Sequence, residues 1–312
     1  MRVLLAGGAG FIGFHLAMSL VRRGDDVVIV DNLLTGVEVN LADLRSAGIE
    51  FEFILHDVSE PLQISGAVDA VLHFASPASP PDYAAHPFAT LDAGTIATRR
   101  LASLAKEKGA TFMLASTSEI YGDPLEHPQR EDYWGNVNSV GPRSMYDEAK
   151  RCAEAYTVAF QRAGLDTRIA RIFNTYGPRM RPEDGRAIPN FFSQALSGRM
   201  LTIYGDGNQT RSLCYIDDLV RGLLLLLESD ERRPVNLGAP DEVTVLELAE
   251  RVARIAGRST ADVELQAPAE DDPQQRCPDI TRAREVLGWS PEITLADGLL
   301  RTSAWFRGVS ER

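Results

Sequence analysis

Lysine is nearly missing from this chain. Among 312 residues it occurs only at Lys106, Lys108 and Lys150, although Lys and Arg together number 32 against 44 Asp and Glu. Basic charge is therefore almost all arginine, and each lysine invites inspection. A net charge of -12 makes a poor general polyanion binder, which sets nucleic acid aside as a partner. Any anionic ligand would need a local cluster of arginines. Cysteine is as scarce. Cys152, Cys214 and Cys277 are odd in number and lack metal spacing, so the expectation is reduced thiols, a cytoplasmic setting and no metal site. Long apolar runs are missing too. The longest, Leu223 to Leu227, falls far short of the roughly 20 residues of a membrane span. Met1 runs directly into a strand pattern, so no leader is expected. No membrane partner is expected.

What is present is a globular pattern. Apolar residues make up 44%, enough for one large domain or two closely joined ones. Apolar runs recur as RVLLA, DVVIVD, FEFILHD, AVLHFA, TFMLAS and TRIARIFN, with helical stretches between them, notably at 88–108 and 144–163. That alternation predicts an α/β fold, a doubly wound parallel sheet with a smaller α/β C-terminal substrate lobe. The expected division gives residues 1–174, with a returning segment at about 214–238, to the sheet domain. The lobe takes 175–213 and 239–312. Within it, LTIYGDGNQTRSLCYIDDL suggests two short strands around a glycine-rich turn. Asp217 or Asp218 is expected to cap the helix that follows, and Thr244 the next.

Gly7, Gly10 and Gly13 form G-x-x-G-x-x-G between the first strand and the first helix. Such a loop must turn tightly, approach a pyrophosphate closely and pack a helix against a strand. The helix N-terminus then offers free N–H groups to phosphate. Asp31 ends the second strand, near the expected ~20 residues past the glycines. A carboxylate there accepts hydrogen bonds from ribose hydroxyls and repels a 2′-phosphate, so NAD is expected rather than NADP. A glycine-rich turn beside a surface acid is the plainer reading, and the agreement of context and acid outweighs it. His56-Asp57-Val58, ending the third strand, is a candidate for the adenine.

Tyr146 and Lys150 lie one helical turn apart on one face. An ammonium nearby favours the phenolate, and moving a phenol from about 10 to near 7 requires roughly 4 kcal/mol. Lysine, a cationic nicotinamide and a water-poor cleft could together supply it. A tyrosinate so placed removes a hydroxyl proton while hydride leaves the carbon. Upstream, LASTSEIYG ends an apolar strand in Ser116, Thr117, Ser118 and Glu119, a poor way to build a core and a good way to line a site.

Gly7-x-x-Gly-x-x-Gly with Tyr146-x-x-x-Lys150 resembles the extended short-chain dehydrogenase/reductase family, which acts on nucleotide sugars. The resemblance covers nearly the whole chain and implies an NAD-binding Rossmann domain. It implies that Thr117 bonds the sugar hydroxyl being oxidised and that Tyr146 is the base. Lys150 would also hold the nicotinamide ribose, with Ser116 lining that side. Phe11, Ile12, Asn32, Thr35, Gly36, Asp57, Val58 and Ala75 would complete the cofactor contacts.

Within the family, epimerases typically carry no acid at position 119, and 4,6-dehydratases carry an Asp-Glu pair. Ser118-Glu119 is similar to the UDP-glucuronic acid decarboxylases, as are the segments at 73–83, 121–138, 141–151, 171–180, 204–212 and 271–280. That likeness implies UDP-glucuronate as substrate and UDP-xylose as product. The steps would be C4 oxidation, loss of carbon dioxide from the 4-keto sugar, C5 protonation and re-reduction. NAD ends unchanged, so the net reaction is that of a lyase. Arg211 would bind the carboxylate. Ser118 and Glu119 would position the sugar and handle protons around C5, with the donor unassigned. Asn174 and Arg276 would contact the diphosphate or its ribose. Tyr204 would edge the uracil strand, and Ser79 and Gln209 would complete the substrate set. A nucleotide-sugar 4-epimerase and a catalytically silent NAD-binding scaffold stay open as alternatives. Two departures stand out. The family's Asn-x-x-Gly-Thr reads Gly94-Thr95-Ile96-Ala97-Thr98 here, either a tolerated change or one that makes the cofactor pocket less rigid, since glycine costs a helix about 1 kcal/mol. Pro189 stands where serine is usual, which removes a hydroxyl and an N–H. The family commonly forms homodimers through helices corresponding to 88–108 and 144–163.

Overall fold

The computed structural model describes residues 1–310 except 261, 269, 270 and 272. Residues 311 and 312 of the expected lobe, and position 272 of the 271–280 segment, lie outside the described residues. The first half alternates strand and helix: β1 Arg2–Ala6, α1 Phe11–Arg22, β2 Asp26–Asp31, α2 Glu38–Ser46, β3 Glu52–Leu55 and β4 Ala70–His73. Then come α3 Pro80–Ala85, α4 Pro87–Asp92, a π-helical turn Ala93–Ala97, α5 Thr98–Lys108, β5 Thr111–Thr117 and a 3-10 turn Ser118–Tyr121. α6 Ser144–Arg162, β6 Thr167–Ile172 and β7 Thr175–Tyr176 follow.

Successive residues of the apolar strands feed two different cores. Val3, Leu5, Val27 and Ile29 pack on one side of the sheet. Leu4, Ala6, Val28 and Val30 pack on the other. A strand buried on both faces has no polar face to alternate, which is why these runs are continuously apolar. All pairs in this sheet are parallel, with Leu4 beside Val28 and Leu5 beside Leu72. With β11, Val235–Leu237, at one edge, the order is β11-β6-β5-β4-β1-β2-β3. It reverses between β1 and β4, and that reversal opens a crevice at their carboxyl ends.

The second half supplies α7 Ala187–Leu196, β8 Leu201–Tyr204, β9 Thr210–Ser212, β10 Cys214–Tyr215, α8 Ile216–Glu228, β11 Val235–Leu237 and β12 Glu242–Thr244. α9 Val245–Ala256, β13 Val263–Gln266, α10 Thr281–Leu287 and α11 Leu295–Ser310 complete it. β11 joins the main sheet along Ala170–Ile172. α9 is capped as expected: Thr244 accepts from the Glu247 N–H, and Glu247 reaches back to the Thr244 N–H.

β8 and β9 flank the glycine-rich turn as expected, β8 running parallel to β13 and β9 antiparallel to β12. The expected cap of α8 needs correction. α8 is not capped by Asp217 or Asp218, because it begins at Ile216 with Tyr215 at the cap. Asp218 lies within the first turn, buried, and accepts from the N–H groups of Glu292 and Ile293 at 2.9 and 2.8 Å. It fastens a distant segment to the helix. Gly94 lies in the π-helical turn Ala93–Ala97. α4, the π turn and α5 are consecutive from 87 to 108, and a Cβ on Gly94 would stand 2.4 Å from the Ala149 carbonyl oxygen. Glycine is what lets α6 come so close.

Candidate active site

Two adjoining cavities of about 550 and 210 Å³ sit where β1 and β4 end, and both are lined by Gly7, Gly10, Thr35, Phe74 and Ser76. The smaller is also lined by Asp31, Asn32, Gly36, Asp57, Val58 and Ala75. Phe11, Ile12, Gly13, Ser116, Tyr146 and Lys150 line the larger. The residues fit a dinucleotide. α1 starts at Gly10 with no side chain on its first-turn N–H groups, so those donors remain for phosphate. Gly13 packs so tightly that a Cβ would meet the Gly7 oxygen at 2.1 Å. Asp31 is already engaged within the protein. Its carboxylate accepts from the N–H of Ala9 at 3.0 Å and of Leu33 at 2.8 Å, and burial lifts it above the usual carboxylate range. Asn32 donates to Asp57 at 2.9 Å.

The end of β5 enters the larger cavity. Thr117 accepts from the Glu119 N–H at 3.2 Å and is hydrogen-bonded to the Tyr146 phenol. Tyr83 stacks on Tyr146 with ring centroids 5.4 Å apart. Without a nicotinamide, the water-poor surroundings oppose the phenolate instead of favouring it. Burial raises the Tyr146 phenol far above its ordinary value, more than its bond to Thr117 lowers it. Lys150 stands over the ring face, 5.8 Å from its centroid, and donates to the Ala115 carbonyl at 2.8 Å. Burial lowers that ammonium to about 8. In this protein alone the tyrosine is a neutral phenol, because removing a phenolate from water outweighs its neighbours. Ser116 turns its hydroxyl to Glu154, donating at 2.6 Å.

Glu119 is held from two sides. Arg143 donates to it at 2.6 Å, and Arg276 at 2.9 and 3.3 Å. Burial would raise this carboxyl, but Arg276 and then Arg143 overcome it and bring it down to about 2. Arg276 also donates to the Ser118 hydroxyl at 2.9 Å and the Gly122 carbonyl at 3.1 Å. It lines the cavity as a buried clamp, with both terminal nitrogens engaged. Asp147, beside Tyr146 in sequence, moves the other way. Burial and the charge of Glu119 raise it to about 7.

The remaining substrate candidates line the same cavity. Arg211 on β9 donates to the Thr210 carbonyl at 2.8 Å. Ser79 caps α3 and donates to Asp82 at 2.7 Å. The Asn174 carbonyl accepts from the Cys214 N–H at 2.9 Å. Gln209 donates to the Tyr204 carbonyl at 2.6 Å, which joins those two. Pro189 falls in the first turn of α7, where a missing N–H is tolerated.

Sequence reasoning missed Arg143, Tyr83 and the pairs Arg181–Asp82 and Arg186–Asp184. Arg143 had a signal, three residues before Tyr146. The others are set by contacts between distant segments.

The NAD dependent epimerase/dehydratase family matches residues 3–238. UDP-glucuronic acid decarboxylase 1 from Arabidopsis thaliana is 50% identical over 98% of this chain and 70% of its own length. The solved UDP-glucose 4-epimerase from Thermotoga maritima superposes with a TM-score of 0.90 at 29% identity, over 99% of this chain and 100% of that one. A dTDP-glucose 4,6-dehydratase from Streptomyces venezuelae, solved with NAD bound, gives 0.89 at 30% identity, over 99% and 97%.

Proposed function

The chain belongs to the NAD dependent epimerase/dehydratase family, and on that premise we propose that it decarboxylates UDP-glucuronate to UDP-xylose, using NAD. The observation that carries the choice of reaction is the state of the acids. Asp82, Glu119 and Asp184 are the carboxylates lining the larger cavity among the described residues, and each is paired with arginine. Elimination of water, as in a dehydratase, needs a protonated acid beside the leaving hydroxyl. Loss of carbon dioxide needs none. The 50% identity with a relative named for that decarboxylation points the same way.

NAD, when bound, supplies the acceptor that turns the C4 alcohol into a ketone and returns the same two electrons at the end. Its cationic ring also favours the tyrosinate that burial opposes. Thr117 and Tyr146 hold the C4 hydroxyl, and Tyr146 takes its proton. Lys150, anchored on the Ala115 carbonyl, fixes the cofactor's ribose. Arg211 holds the C6 carboxylate, which lies β to the new ketone. The bond to C6 breaks, its electron pair enters the enolate, and carbon dioxide leaves. Glu119 stays ionised, so it orders water and sugar at C5 rather than giving up a proton. A water then supplies the C5 proton, and Tyr146 returns its own to O4. Asn174 holds the diphosphate or its ribose, and Tyr204 and Gln209 hold the uracil end. The protein works in the cytoplasm as a homodimer through the helices at 88–108 and 144–163, where Phe88 is 79% exposed. Sedimentation equilibrium reads that state, and a monomer would remove it.

NMR of the products after incubation with UDP-glucuronate and NAD tests the reaction. We expect UDP-xylose and released carbon dioxide. Unchanged substrate, or UDP-galacturonate, would sink the proposal.

A further inference from the structure

His127, Glu242 and Cys277 come from three separate places: the segment between the 3-10 turn and α6, the first residue of β12, and the segment before α10. The fold brings their ligand atoms together. An imidazole nitrogen, a carboxylate oxygen and the Cys277 sulfur all lie within 4.8 Å of one another. His127 Nε2 is 2.8 Å from Glu242 Oε2. The other Glu242 oxygen accepts from the Thr210 hydroxyl at 2.6 Å, which fixes the carboxylate plane. Cys277 is buried, and its N–H donates to the Gln129 side chain at 2.9 Å while its carbonyl accepts from the Gln129 N–H at 2.8 Å. The thiol and the His127 segment are thereby held in register. Asp241 and Asp279 add negative charge around the same sulfur. None of the three lines either cavity of the candidate active site.

We propose that His127, Glu242 and Cys277 bind a zinc ion. Nitrogen, oxygen and sulfur donors together suit a borderline-soft cation, and thiolate disfavours magnesium and calcium. His127 and Glu242 reach the surface, so water completes the tetrahedron. On binding, the thiol proton goes to solvent, the imidazole keeps a single proton on its non-ligating nitrogen with any other released to solvent, and the direct His127–Glu242 bond is replaced by two bonds to the metal. Tetrahedral bonds of ~2.0–2.3 Å hold ligand atoms slightly farther apart than that pair stands now, so the exposed imidazole moves outward. The site has a structural role. Glu242 pairs with Ser212, next to Arg211, and Cys277 follows Arg276. Zinc there ties the segment of Arg276 and the segment of His127 to β12, the neighbour of the strand that carries Arg211, without touching the reacting atoms.

The test is titration of the tag-free, chelator-treated full chain with cobalt(II), followed by zinc. One equivalent of cobalt should give thiolate-to-metal charge-transfer absorption in the near ultraviolet, and one equivalent of zinc should abolish it. Cys277→Ser should lose the band. His127→Gln should weaken binding at least tenfold. NAD binding, retained in both variants, reports that they fold. Zinc should also raise the thermal midpoint of the unaltered chain and not that of Cys277→Ser. Absence of the band, the same band in Cys277→Ser, or equal thermal shifts would overturn the site. Turnover of UDP-glucuronate should be the same before and after chelation, so the outcome is separable from that of the proposed reaction.

Discussion

Burial alone would raise the Glu119 carboxyl, yet Arg276 and Arg143 bring it down to about 2. A folded value below the ordinary 4.5 means the group contributes stability above that value and loses it only as pH falls through about 2. Glu119 is therefore an anion over any working pH, and an acidic limb in the rate profile belongs to another group. In Glu119→Gln the buried Arg276 and the half-buried Arg143 lose their counter-charge. We expect urea unfolding at neutral pH to show a loss of about 3 kcal/mol, and carbon dioxide release to fall more than NAD binding does. Full turnover in that variant would remove Glu119 from the mechanism. Asp147 has the opposite sign. Its folded value of about 7 stands above the ordinary 3.8, so between them the folded state keeps a proton that the unfolded chain releases. Stability from this residue falls as pH rises from about 4 to about 7. Asp147→Asn should flatten that slope in unfolding measured across the range, and an unchanged slope would place its origin elsewhere.

At the scale of elements, the contact of α6 with the helical run from α4 to α5 sets the position of Tyr146 and Lys150, since both project from α6. Gly94 permits that contact. Gly94→Ala would push α6 outward, and we expect about 1–3 kcal/mol of destabilisation together with reduced turnover, read by denaturant unfolding and product formation. A neutral substitution would show that the helices can part without consequence. The strands were legible in the sequence because burial on both faces leaves a continuous apolar run, and the glycine loop because a tight turn into a helix has few solutions. Asp218 was misassigned because a cap and a first-turn carboxylate differ by only a few positions in sequence, while the N–H groups it binds lie more than 70 residues away. Tyr146 and Lys150 were found by spacing, but spacing carries no depth. Burial, invisible in a four-residue motif, opposes the phenolate that lysine and nicotinamide favour. Arg143 and Arg276 reach Glu119 across 24 and 157 residues, a closure that no local pattern records.

The whole molecule is joined more closely than its expected division suggests. One continuous core includes Val3 and Leu16 of the sheet domain together with Phe192, Leu248 and Phe306 of the lobe. Arg179 pairs with Asp43 on α2, and Arg181 with Asp82 on α3, so the loop that enters α7 is fastened to the sheet domain on two sides. Asp218 binds the segment before α11 to α8. A lobe that shares its core and its buried polar anchors with the sheet has little independent means of staying folded, or of unfolding first. We therefore expect one cooperative urea transition, superimposable by tryptophan fluorescence and far-ultraviolet circular dichroism. A ligand held by the lobe should then stabilise the entire chain: UDP at 100 times its dissociation constant should add about 2.7 kcal/mol to the unfolding free energy. NAD at the same relative concentration should shift the same single transition. An early transition sensitive to UDP but not to NAD would show that the lobe unfolds by itself, and that the shared core does not bind the two halves into one unit.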